Sequence, residues 1–202
     1  MHGRCVMPGR KAEVERKTKE TQIQVSLDLD GSGKSEIGTG IGFFDHMLTA
    51  LARHGLFDVK VRAKGDLEID PHHTVEDVGI LIGRAIDRAL GDKAGVVRFG
   101  WAAVPMDEAL ILTSIDLSGR GLLCYGVDIE QEKIGALDTV LISEFFESVA
   151  RNAGMTLHIR KLSGEDPHHT AEAIFKSFAK ALQAATRVCE RIAGVPSTKG
   201  VL

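Results

Sequence analysis

Alternating apolar and polar residues mark the strands of this chain, and apolar residues at helical spacing mark its helices. Ile23, Val25, Leu27 and Leu29 alternate with polar neighbours, the period of a half-buried strand, and Asp30-Gly-Ser-Gly33 follows as turn chemistry, so a hairpin opens the fold. From Phe43 to His54 the spacing is helical. Gly55 then offers a C-cap, and Phe57, Val59 and Val61 alternate as a further strand. Asp70-Pro71 stops the chain before a long helix, His72 to Leu90, closed by Gly91. Strands are expected over 96–104, 108–117, 121–129 and 155–161, with helices over 138–152 and 168–190 and a loop-like tail from Gly194 to Leu202.

This order of elements occurs twice because the sequence itself does. DPHHTVEDVGILIGRAI, starting at Asp70, matches DPHHTAEAIFKSFAKAL, starting at Asp166, at 7 of 17 positions. Upstream, the stretch from Glu108 matches the stretch from Glu20 at 7 of 14 positions, and His46 to His54 aligns with Glu144 to Asn152. The three blocks keep their order, so the chain reads as a tandem duplication. Residues 1–19 read as a flexible basic tail, 20–94 as the first half, 95–193 as the second and 194–202 as a C-terminal loop; the strand over 96–104 reads as a link between the halves. Paired strands with helices on one face indicate an α+β fold.

Composition narrows the function. Among 202 residues, 28 are acidic and 25 basic, so there is no basic footprint for nucleic acid or an anionic membrane. The three cysteines, Cys5, Cys124 and Cys189, form no disulfide ladder or CxxC pair; with no apolar leader or membrane-length run, the chain reads as cytoplasmic. The excess is in histidine: 4 of 8 lie in two His-His pairs.

In each His-His-Thr-x-Glu block the carboxylate follows the first His by four residues and the second by three, so at a helix start all three are expected to lean toward one face. Such a set is half of a metal site, and without thiolate it favours Mn, Fe or Zn. One block alone would read equally well as a polar helix cap; two in register argue against that. The candidate ligands are His72, His73 and Glu76 in one half and His168, His169 and Glu172 in the other, with His46 and its repeat mate Glu144 supplying more. His54 and His158 lack such support, and His2 lies in the tail. Gly38-Thr-Gly-Ile-Gly42 lacks the GxGxxG spacing and reads as a tight turn. Arg98, Arg120, Lys176, Ser197, Thr198 and Lys199 suit a phosphate, although each alone reads as an ordinary surface group.

Several segments together resemble the imidazoleglycerol-phosphate dehydratase family: Thr39-Gly-Ile-Gly-Phe-Phe-Asp-His-Met-Leu48, Asp70-Pro-His-His-Thr-Val-Glu-Asp77, Pro105-Met-Asp-Glu108, Asp116-Leu-Ser-Gly-Arg120, Thr156-Leu-His-Ile159, His168-His-Thr-Ala-Glu172 with Phe175-Lys176, and Pro196-Ser-Thr-Lys-Gly200. The resemblance implies a duplicated ribosomal-protein-S5 domain-2-like unit with mixed sheets, and a hydro-lyase of histidine biosynthesis. It implies two Mn ions per active site and a homo-oligomer of 24 subunits with sites at subunit interfaces. His46, His72, His73, Glu76, His168, His169 and Glu172 are then metal ligands. Glu144 stands where the family pattern has His, and a carboxylate also ligates Mn. Arg98, Arg120, Lys176 and Ser197 to Lys199 are then phosphate-binding, the last three in a substrate-binding loop, and Glu20 is the catalytic acid/base.

The implied chemistry explains two metals. The proton to be removed is flanked by no carbonyl, so simple base catalysis fails. A substrate ring held as imidazolate between two metal ions can expel hydroxide, after which the neighbouring C–H becomes acidic. Two other readings compete: a dinuclear metallohydrolase acting on a phosphate ester, and a non-enzymatic shell in which metal ions join subunits.

Overall fold

A computed structural model describes residues 9–202; His2 and Cys5, with the first eight positions of the expected tail, lie outside the described residues. The first half contains β1 (Lys11–Lys17), β2 (Thr21–Asp28), β3 (Ser35–Gly38), α1 (Gly42–Gly55), β4 (Asp58–Gly65) and α2 (His72–Leu90). The second contains β5 (Phe99–Met106), β6 (Ala109–Asp116), β7 (Leu122–Gly126), a small hairpin of β8 (Lys133–Ile134) and β9 (Leu137–Asp138), α3 (Val140–Ala153), β10 (Thr156–Ser163) and α4 (Pro167–Thr186). The sheet orders are β1-β2-β4-β3 and β5-β6-β10-β7, the same topology twice. In each sheet only the pair flanking the first helix is parallel, β3 with β4 and β7 with β10. A parallel pair needs a crossover, and the helix supplies it.

The matching topology corrects two readings. Lys11–Lys17 is a strand, not flexible tail: it pairs along its whole length with β2. Its sequence, KAEVERK, buries only Val14, because an edge strand with one face in water keeps charged residues. Likewise β5 is no link between the halves. It is the counterpart of β1, the first edge strand of its own sheet.

Two helix ends also differ from the sequence reading. The left-handed residue closing α1 is Leu56, at φ 57°, while Gly55 is glycine because the Phe57 ring occupies the space a Cβ would need. Helix α4 stops at Thr186, short of 190, because the chain turns back onto residues 95–97: Val97 N donates to Arg187 O at 2.8 Å and Cys189 N to Gly95 O at 2.8 Å.

Each sheet turns one face to helices, and the helices of the two halves pack on each other, α1 on α4 and α2 on α3. At Gly79 and Gly83 the approach of α2 to α3 is so close that a Cβ would lie 2.8 Å from Phe145 O and 2.7 Å from Val149 O. Between the halves the rings of Phe44 and Phe145 meet at 5.3 Å, and within the second half Phe145 stacks on Phe175 at 5.4 Å, all essentially inaccessible to water. Each such ring contributes on the order of 2–3 kcal/mol on burial. The duplicated units therefore share one core, and that core sets the N-terminal part of α1 beside the start of α4. Among the described residues no helix is long and apolar enough to cross a membrane.

Candidate metal centre and active site

The junction of α1 and α4 produces one preformed group of donors. His46 Nε2 lies 3.4 Å from Glu172 Oε2, and His168 Nε2 lies 3.2 Å from the same oxygen. All three donor atoms fall within 4.8 Å of one another. His168 and Glu172 meet because residues four apart share a helix face; His46 comes from the other half. The edge of Phe43 packs against both imidazoles, at ring distances of 6.4 and 5.2 Å, and limits their rotation.

Glu172 is 9% exposed, and its second oxygen accepts from Lys176 Nζ at 2.6 Å. Burial acts to raise its carboxyl, but the Lys176 ammonium and His46 outweigh burial and hold it below the usual carboxylate range. A carboxylate oxygen with two imidazole nitrogens and no thiolate is a donor set that fits a divalent ion of the Mn, Fe or Zn type.

The repeat-related group in the other half is less complete. His72 Nε2 and Glu76 Oε2 stand 3.7 Å apart on α2, while Glu144, exposed on α3, forms no ion pair with them among the described residues.

The second His of each pair does not lean with the first. Adjacent residues on a helix are rotated by about 100°, and the first His of each pair faces the Glu of its own helix while the second faces a carboxylate from outside it. The expectation that all three residues of a block share one face is thus corrected to the first His and the Glu. His73 instead bonds through Nδ1 to Asp66 Oδ2 at 3.0 Å, with Glu20 Oε2 at 4.0 Å. His169 bonds through Nδ1 to Glu108 Oε2 at 2.8 Å. These bonds raise both histidines above their ordinary value, and the His169 bond, helped by backbone amides, holds Glu108 down at about 2.

Asp66 and Glu108 were not among the sequence candidates. Glu108 carried a signal, as the repeat mate of Glu20; Asp66 carried none.

The phosphate candidates divide. Arg98 is held by Asp116, Nε at 2.7 Å from Oδ1, and its Nη1 donates to Pro196 O at 2.8 Å, so it braces the C-terminal loop. Gly119, next to Arg120, backs onto Leu202, where a Cβ would lie 2.7 Å from the carbonyl carbon. Arg98, Arg120 and the loop of Ser197, Thr198 and Lys199 are thus brought to one region. Lys176 is not with them; it sits on Glu172 and donates to Met106 Sδ at 3.3 Å.

Comparison with known proteins places the chain in a family. Residues 39–182 match the family model for imidazoleglycerol-phosphate dehydratase. The chain is 58% identical over 193 residues to the imidazoleglycerol-phosphate dehydratase of Acetivibrio thermocellus, covering 96% of this chain and 99% of that one. It is 54% identical to that of Desulforamulus reducens, covering 97% and 100%. Crystal structures of the dehydratases from Pyrococcus furiosus and Staphylococcus aureus superimpose with TM-scores of 0.82 and 0.81, at 41% and 38% identity, covering 94% and 89% of this chain and 100% and 99% of those. With the doubled topology, the histidine-carboxylate group at the junction of the halves and relatives matching nearly end to end, the chain belongs to the imidazoleglycerol-phosphate dehydratase family.

Proposed function

We propose that this chain removes water from D-erythro-imidazole glycerol phosphate to give imidazole acetol phosphate, a step of histidine biosynthesis, at a site holding two Mn ions. The observation that carries the metal reading is the His46, His168 and Glu172 group, in which both halves of the chain supply donors. His72 with Glu76, His73, His169 and Glu144 are the remaining ligands of this reading. When bound, the two ions supply Lewis acidity toward the two nitrogens of the substrate ring.

The chain's own groups do the rest. Glu20 stands at the turn between β1 and β2 with its carboxylate about half exposed, free to take the proton from the carbon beside the departing hydroxyl. Arg120, Ser197, Thr198 and Lys199 offer donors for the phosphate, while Arg98 holds their loop in place. Lys176 favours the ionised form of Glu172 and orients it.

Because His73 and His169 turn away from the first His of each pair, one chain presents its donors in several directions. That dispersion supports sites completed by neighbouring subunits, as in a homo-oligomer of 24 acting on a small phosphate substrate in the cytoplasm. Dialysis against a strong chelator should abolish turnover, and Mn added back should restore it together with about two ions per chain. Full activity in metal-free protein would overturn the reading.

A further inference from the structure

The duplication permits a comparison within one molecule. His73 and His169 are repeat mates, and each is held through Nδ1 by a carboxylate, yet the two carboxylates come from different places. Glu108 lies on the turn between β5 and β6, and its repeat mate Glu20 lies on the turn between β1 and β2. In the second half Glu108 makes the bond to His169 at 2.8 Å. In the first half Glu20 Oε2 stays 4.0 Å from His73, and Asp66, at the end of β4, makes the bond at 3.0 Å.

A carboxylate accepts from Nδ1 only if Nδ1 carries a proton, and in the neutral ring this leaves the Nε2 lone pair free to bind a metal. Glu108 is itself fixed: its other oxygen accepts from the amides of Asp166 at 2.9 Å and Glu165 at 3.3 Å, in the loop that starts α4. The other charged groups acting on His169 are Asp166, whose Oδ1 accepts from its amide, and Asp107, exposed, with Oδ2 3.5 Å from Nε2.

We propose that Asp66 and Glu108 are positioning residues that lock His73 and His169 in the Nε2-ligating tautomer, and that Asp66, by taking this task in the first half, frees Glu20 for proton transfer. The inference rests on the reading of His73 and His169 as metal ligands.

Glu108→Gln is the sharp test. The amides of Glu165 and Asp166 require the oxygen of the new amide, so its NH2 faces His169 Nδ1 and favours the opposite tautomer. Mn titration of the full-length protein should show one of two equivalents weakened by roughly 10–100-fold, the loss typical of an outer carboxylate. 15N spectra of histidine-labelled, metal-free protein should show one imidazole moving from Nδ1–H to Nε2–H, a change that loosened structure alone does not produce. His169→Ala serves as the control and should lose the same equivalent. Wild-type Mn affinity and an unchanged tautomer in Glu108→Gln, with binding lost in His169→Ala, would overturn the inference alone. Two equivalents at wild-type affinity in His169→Ala would overturn the ligand reading, and the inference with it.

Discussion

Glu172→Ala is expected to leave a folded protein that binds one Mn equivalent fewer than the parent and has lost nearly all of its turnover. Glu172 is the hub of the preformed group: one oxygen faces both His46 and His168, and the other takes the Lys176 ammonium at 2.6 Å. Removing it leaves two imidazoles without their shared carboxylate and a largely buried lysine whose remaining partner is the Met106 sulfur at 3.3 Å. Lewis-acid stabilisation is worth several kcal/mol, so kcat should fall about 10³-fold or more. The stranded Lys176 adds a stability loss of up to about 3 kcal/mol in the metal-free protein. Elemental analysis, kcat and a thermal melt read the three effects separately. Full Mn occupancy in this variant would remove Glu172 from the site.

Glu20→Gln should behave in the opposite way, keeping metal and assembly while losing turnover by roughly 10²–10⁴-fold, the usual contribution of a positioned acid/base group. The turn that carries it does not depend on its carboxylate. Thr18 Oγ1 accepts from the amides of Glu20 at 3.1 Å and Thr21 at 2.9 Å, and the Thr21 hydroxyl donates to Asp77 of α2 at 2.5 Å. Gln is the same size and keeps these bonds, so a fall in kcat with unchanged Mn binding isolates the proton-transferring group. Unchanged turnover would take Glu20 out of the mechanism.

Much of the fold was legible because the chain repeats itself: three aligned blocks in one order imply two like units, and the sheets have like topology. The element that escaped, β1, did so for a physical reason. An edge strand with one wet face needs few apolar residues, and Val14 is the single fully buried side chain of its seven. Without β1, the counterpart role of β5 was invisible too. The start of α4 was readable from Asp166-Pro-His-His, and Asp166 caps the helix by accepting from His169 N at 2.9 Å.

Spacing placed His168 and Glu172 on one face correctly, since four residues span one turn. It failed for the adjacent His169 and His73: His169 is directed by Glu108, 61 residues away on the β5–β6 turn, and His73 by Asp66, seven residues upstream on the loop from β4 to α2. The meeting of His46 with Glu172 depends on how two halves pack, which periodicity within either half does not encode.

The most direct test of the account is to incubate Mn-loaded protein with D-erythro-imidazole glycerol phosphate and identify the product. The account predicts a ketone, imidazole acetol phosphate, with its phosphate ester intact. Release of inorganic phosphate without ketone would instead mark a metallohydrolase and contradict it.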